Sequence, residues 1–420
     1  MESGLYQALI SEKLLVEHQI SQVETGDPDA YRMIKPERIP FITYPYEWSF
    51  TQLKDAALTT LRIHRRALDY GMILKDASAY NIQFHQGMAK LIDTLSFDFY
   101  DEGTAWVAYG QFCRHFFAPL FLMKHVDLRL LQLLKIYIDG IPLDLADRLL
   151  KGKGGFAAMQ HIHWHAQSAA RHTQDGKAAG RLKTVRVSKF NHIALIDSLI
   201  RTIEQLKLES IQTEWMDYYQ NTNYSEEAQK SKEEILVSLI RDQSFKTLWD
   251  FGANDGRYSR IALAHGMELA VAFDNDPLAI DQNYRKIKES GEDIIPLLFD
   301  LTNPSPGIGF ANRERIPVND RMRPDCIIAL AVIHHLAISN NLPLPKIAEW
   351  MAGLSEHLII EFVPKEDSQV QILLATRDDI FTEYHQAGFE EAFGGYYTLL
   401  RKEPVRDSKR TMYLFQKKEA

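Results

Sequence analysis

Leu248-Trp249-Asp250-Phe251-Gly252-Ala253-Asn254-Asp255-Gly256 is a short apolar run that breaks into a glycine-bearing turn, with a helix opening at about Tyr258. Glycines at such a turn let the backbone approach a ligand, and a helix N-terminus presents unbonded N–H groups. Asn254 sits where left-handed geometry is needed and is a residue that tolerates it. Eighteen residues beyond Gly256, the run LAVAFD (269–274) ends in Asp274. A carboxylate there can accept hydrogen bonds from both ribose hydroxyls of a nucleoside. Asp300 follows the third run, IIPLLF (294–299), and is placed to contact an adenine amino group.

Outward from this stretch the same rhythm continues. DCIIAL (325–330) and HLIIEFV (357–363) are further apolar runs separated by amphipathic segments, which argues for a parallel sheet of βαβ units. Tyr396 to Arg401 and Arg410 to Gln416 read as two closing strands, with Pro404 in the loop between them. Strand, glycine turn, helix, strand, Asp, helix, strand, Asp in this order resembles the class I S-adenosylmethionine-dependent methyltransferases. Their turn reads D-x-G-x-G-x-G, with Asn254 here in place of the middle glycine. A nicotinamide-binding unit would instead show G-x-G-x-x-G. The resemblance implies an α/β, Rossmann-like seven-stranded domain over 235–420 and S-adenosyl-L-methionine as cofactor. Its cofactor contacts then fall on Asp250, Gly252, Asn254, Gly256, Asp274, Asn275, Asp300 and Leu330.

Methyl transfer from a sulfonium is an in-line displacement, so positioning supplies much of the rate, and a base is needed only if the acceptor loses a proton. In the resembling family the end of the fourth strand faces the methyl group, which makes His334 and His335 catalytic candidates. Glu361 lies inside an apolar strand, where a carboxylate requires a partner; it is expected either in catalysis or in a buried ion pair. Trp215 to Tyr224 is dense in aromatic and amide side chains, as a lid over the site would be; Asn223 and Tyr224 are candidate contacts to cofactor or acceptor, and Tyr224 is a further catalytic candidate. His161, His163 and His165 alternate as metal ligands on one strand face would, but their flanks read helical, which scatters them. No metal site is expected.

The first part of the chain carries a second resemblance. Asp76, five residues before Asn81, is followed by a strand, a turn at Gly87 and a second strand leading to Asp93. This is similar to the catalytic region of protein kinases and small-molecule phosphotransferases, where such residues orient the hydroxyl and hold magnesium. Leu74 replaces the usual histidine, Thr94-Leu95 replaces Phe-Gly, and no glycine-rich phosphate loop precedes Asp76. A degenerate, mainly helical kinase-like lobe over 1–150 is therefore expected, then a linker and helical lid over 151–234. Taken with Tyr44 through Trp48 and Trp215 through Gly256, the arrangement resembles NoeA-type nodulation proteins, which implies a saccharide or glycolipid-precursor acceptor.

The 420 residues carry a net charge of −8, which disfavours non-specific nucleic-acid binding. A basic strip at 171–189 is a local exception, with six basic residues against one acidic. Two distant cysteines, Cys113 and Cys326, rule out a disulfide framework. With no signal-like segment and no apolar run near the roughly 20 residues of a membrane span, a cytoplasmic location is expected. Three functions fit these features: methyl transfer to a small-molecule or glycan-type acceptor, with the first lobe as recognition or scaffold module; a bifunctional kinase and methyltransferase; and a non-catalytic S-adenosylmethionine-binding protein.

Overall fold

The computed structural model describes residues 3–23, 26–27, 29–164, 186–208, 225–375 and 377–419. The chain divides into two compact units, Met1–Ile211 and Gln212–Ala420. Within 151–234, expected as linker and lid, the described helices are shared out, Lys189–Gln205 to the first unit and Glu226–Arg241 to the second.

The first unit is built around the helix Phe50–Asp69. Ser49 caps it: Ser49 Oγ accepts from the Gln52 N–H, and Gln52 Oε1 accepts from the Ser49 N–H at 2.9 Å. Leu53, Ala56, Ala57 and Leu61 recur near the 3.6-residue period and are buried. Helix Lys189–Gln205 packs on the same unit through Ile196, Leu199 and Ile203. Lys54 Nζ donates to the carbonyls of Glu204 and Leu206 at 2.8 and 2.7 Å, answering acceptors at that helix's end.

Contrary to the expected mainly helical lobe, this unit is mixed. His18–Ile20 pairs with Ile34–Pro36, Met72–Leu74 with Phe97–Phe99, and Ile82–His85 with Met88–Leu91, all antiparallel. The hairpin of Ile82–His85 and Met88–Leu91 is the strand, turn and strand read between Asn81 and Asp93, whereas the three-residue strands are too short to display a period that separates them from buried helix. Asp76 accepts from Gln111 Nε2 at 2.9 Å, whereas Asn81 Nδ2 and Asp93 Oδ2 both meet Ser96 Oγ, at 3.2 and 2.7 Å. His161 and His163 lie on the single π-turn Met159–His163 and part company there: His161 Nδ1 meets the Tyr109 hydroxyl at 2.6 Å, and His163 Nδ1 meets Asp147 at 2.8 Å. His165, Asn223, Tyr224 and most of the basic strip lie outside the described residues. Among the described residues no group of three His, Cys, Asp or Glu side chains forms a metal site, and no helix is long and apolar enough to cross a membrane.

The second unit is an α/β domain built on a mixed seven-stranded sheet, the architecture expected of 235–420. Its strands are β1 (Thr247–Phe251), β2 (Leu269–Asp274), β3 (Ile294–Leu298), β4 (Cys326–Ala329), β5 (His357–Phe362), β6 (Tyr397–Pro404) and β7 (Thr411–Lys417). Their order is β3-β2-β1-β4-β5-β7-β6. β1 to β5 are parallel, and β7 runs antiparallel to both β5 and β6. Pro404 is the last residue of β6, paired with Thr411, instead of lying in the loop. It is tolerated because β6 is an edge strand, where a missing N–H breaks no ladder. The helices that matter below are α1 (Glu226–Arg241), before the sheet, and α2 (Arg257–Ala264), after β1.

The chain runs outward from β1 through β2 to β3, then returns to add β4 on the other side of β1. That reversal between β1 and β4 opens a crevice at the strands' carboxyl ends, the place where open α/β sheets bind ligands.

Candidate active site

The crevice begins with the turn after β1. Gly252, Asn254 and Gly256 all have positive φ, at 72°, 48° and 82°. At Gly252 a Cβ would stand 2.6 Å from Val332 Cγ2, so both backbone angle and space demand glycine. The Gly252 and Ala253 N–H groups donate to the Phe273 carbonyl at 2.9 and 3.0 Å, which ties the turn to β2. One residue further on, the Asn254 N–H donates to Asp274 Oδ2 at 2.8 Å and the Asp276 N–H to Asp274 Oδ1 at 2.9 Å. Burial pushes the Asp274 carboxyl up to about 6, against the pull of these N–H groups.

Around this acid lies a cavity of about 390 Å³. Gly252, Asn254, Asp274, Asn275, Asp300 and Leu330 line it, six of the eight expected cofactor residues. The other two do not. Asp250 is 2% exposed and accepts from Ser259 Oγ at 2.7 Å, so it fastens α2 to β1; burial raises its carboxyl to about 7. Gly256 caps α2, where a Cβ would meet Asn283 Oδ1 at 2.4 Å. Both serve the packing of the turn.

The β4 side brings Ala331 and Val332 to the wall, followed by the π-turn His335–Ser339. Ala331 holds φ of 57° with a Cβ, a left-handed conformation that costs about 1 kcal/mol or more. His335 lines the cavity. Burial, with Arg410 nearby, brings its pKa down to about 4, which leaves the ring neutral at physiological pH. His334 does not line the cavity: its side chain is buried behind His335, the ring centroids 4.1 Å apart, and burial depresses its pKa strongly.

Glu361 is also off the cavity. It is fully buried and receives Lys232 Nζ on Oε2 at 2.7 Å, with Arg410 Nη1 at 3.8 Å from Oε1. Arg410 in turn donates Nε to Asp367 at 2.7 Å. Lys232, which does line the cavity, comes from α1 together with Gln229, and neither is among the residues expected from the sequence. A signal for Lys232 exists. It falls on the buried stripe of α1 with Ala228, Leu236, Leu239 and Ile240, where a lysine requires a partner.

The donor set suits a nucleoside. A half-buried carboxylate held by backbone N–H groups offers acceptors for paired hydroxyls, and Phe273, Phe299 and Leu330 supply apolar wall for a base.

No protein-family model matches the chain. Over 392 residues it is 34% identical to the nodulation protein NoeA of Rhizobium meliloti (strain 1021), a match covering 92% of this chain and 82% of that protein. Among solved structures, the N-methyltransferase NodS from Bradyrhizobium japonicum WM9 matches 46% of this chain and 99% of its own, at 11% identity and a TM-score of 0.35. The magnesium protoporphyrin IX methyltransferase ChlM from Synechocystis PCC 6803, with bound SAH, matches 49% of this chain and 92% of its own, at 14% identity and a TM-score of 0.34.

Proposed function

The chain belongs to the family of the nodulation protein NoeA, and on that premise we propose that its second unit transfers a methyl group from S-adenosyl-L-methionine to a saccharide or glycolipid-precursor acceptor. The observation that carries this reading is Asp274: an acid at the end of β2, lining a cavity and fixed by the N–H groups of the glycine turn and of Asp276. The cofactor supplies an activated methyl group on its sulfonium. Asp274 binds the ribose hydroxyls, Asp300 and Asn275 take polar edges of the nucleoside, and Leu330 and Phe299 exclude water from its base.

His335 faces the acceptor. Being neutral, it would accept the O–H or N–H proton of the acceptor while that oxygen or nitrogen bonds the methyl carbon and the carbon–sulfur bond breaks, leaving the cofactor's sulfur as a neutral thioether. A pKa of about 4 makes it a weak base, so hydrogen-bonding and aiming the acceptor is its larger part. His334 and Glu361 act indirectly, as the packing behind His335 and as the partner of Lys232. The first unit has the role of an acceptor-recognition or scaffold module.

The test is incubation of the protein with methyl-tritiated S-adenosylmethionine and glycan or lipid extracts. Label transferred by the wild type and lost in Asp274→Ala supports the reading. A wild type that binds the cofactor yet labels no extract supports the non-catalytic binding protein instead.

A further inference from the structure

His64 and His192 meet inside the first unit with their Nε2 atoms 3.0 Å apart, the two residues 0% and 1% exposed. The surroundings fix where the protons are. His64 Nδ1 accepts the Leu74 N–H at 3.2 Å, so the His64 proton sits on Nε2 and is donated to His192 Nε2. His192 then carries its own proton on Nδ1, which has no hydrogen-bond partner among the described residues. One proton lies between the rings, and the pair is neutral.

A further proton finds no vacant acceptor. On His64 it would have to displace the Leu74 N–H from Nδ1; on His192 it would set one N–H against another. Burial holds both rings below the ordinary histidine range, and His192 lowers His64 further. The groups that face the pair do not offset a cation with a carboxylate. Tyr100 brings a ring centroid 5.7 Å from that of His192 and a buried hydroxyl. Trp106 stacks on His64 at 4.2 Å and donates Nε1 to the Leu74 carbonyl at 2.7 Å. The charged side chains of the same elements turn to the surface, Arg62 to Glu204, Arg65 to Asp69 and Asp197, Arg66 to Glu12, and Lys75 to Asp98. Asp101 and Glu102 are exposed, and Lys189, one turn before His192, is a half-buried cation.

The two rings stand 128 positions apart, His64 on helix Phe50–Asp69 and His192 on the buried stripe of helix Lys189–Gln205 with Ile196, Leu199 and Ile203. Their contact therefore bears on the docking of one helix against the other. We propose that the His64–His192 contact is an acid-released clasp that holds helix Lys189–Gln205 on helix Phe50–Asp69. The docked rings exclude protons that freed rings bind below their ordinary value of about 6.5. Docking is thus at full strength above that pH and weakens as pH falls through it, by up to about tenfold per pH unit for each ring. Release uncovers Ile196, Leu199 and Ile203, so acid gives the first unit an apolar surface that it keeps covered at neutral pH.

Hydrogen–deuterium exchange of the full chain at pH 7.5 and 5.5, corrected for intrinsic rates, tests this. Amides of 193–203 should lose protection by about 10- to 100-fold at pH 5.5, while those of β1 to β5 in the second unit keep theirs. His64→Gln combined with His192→Gln replaces both ionisable rings by neutral amides, and should bring the difference within about threefold. Carbon-13 labelling of histidine reads the rings directly in the wild type: both should stay neutral at pH 6 and take up protons only as protection is lost. If the double variant does not fold by circular dichroism, these wild-type signals decide alone. Unchanged protection of 193–203 at pH 5.5, or two rings titrating near 6.5 while the helix stays protected, overturns the proposal. So does a folded double variant that keeps the wild-type loss.

Discussion

Asn254 donates its backbone N–H to Asp274 Oδ2 at 2.8 Å, so the turn after β1 and the acid ending β2 are one hydrogen-bonded unit. With the turn's preceding N–H groups on the Phe273 carbonyl, β1 and β2 present a pre-set rim. The site's electrostatics follow from this pair, because the same burial that fixes the acid raises its pKa.

Cofactor affinity should therefore depend on pH. Ribose hydroxyls donate best to an ionised acid, and the carboxyl titrates at about 6. Below that value binding must expel a proton; above it the acceptor is ready. We expect affinity for S-adenosylmethionine to fall about tenfold per pH unit below 6 and to level off above 7. Calorimetry at pH 5, 6 and 7.5 measures this, and Asp274→Asn should flatten the profile.

Much of this rim was legible because a strand buried on both faces is a continuous apolar run ended by polar residues. LAVAFD has the bounds of β2, and Asn254 adopts the left-handed angle for which it was read. Residues whose meaning depends on distant partners were not legible. Lys232 and Glu361 are 129 positions apart, so neither announces the other. Asp250 and Gly256 match the resembling turn pattern, yet their surroundings are Ser259 and Asn283, which only the packing of α2 and the helix after β2 brings near. In the first unit, three-residue strands carry too little pattern to be told from helix.

Asp250 makes a separate prediction for stability. Its folded pKa, raised to about 7, exceeds the ordinary carboxylate value, so between about pH 4 and 7 the folded chain holds a proton that the unfolded chain has lost. Its contribution to stability thus falls as pH rises through that window. Asp250→Asn removes the burial penalty while keeping an acceptor for Ser259, and should stabilise the chain by on the order of 1 kcal/mol at pH 8 and little at pH 4. Thermal melts at the two pH values decide it.

At position 254, conformation outweighs chemistry. Asn254→Gly should alter stability by less than about 1 kcal/mol, since glycine adopts a φ of 48° without strain. Asn254→Val should cost roughly 1–2 kcal/mol and weaken cofactor binding along with it. Denaturant unfolding of both variants, beside the wild type, provides the comparison.

Glu361→Ala should act on folding before chemistry. It leaves Lys232 and Arg410 facing a vacated buried position, and breaking a buried pair costs roughly 3–5 kcal/mol. The expected result is a lowered melting temperature; an unchanged melt accompanied by lost turnover would instead restore Glu361 to the chemistry.

His335→Gln should separate binding from turnover. Cofactor affinity should change by less than about threefold, while methyl incorporation into a responsive extract falls by about tenfold or more, as for a residue that aims the acceptor and is only a weak base. Equal losses of both would assign His335 to the cofactor wall alone.

The central claim is that the cavity beside Asp274 holds S-adenosylmethionine. Its most direct test is calorimetric titration of the wild type and Asp274→Ala with S-adenosylmethionine and its demethylated product. Micromolar binding of both by the wild type and a large loss in the variant are expected. Absence of binding to well-folded wild type, or equal affinity in Asp274→Ala, would contradict it.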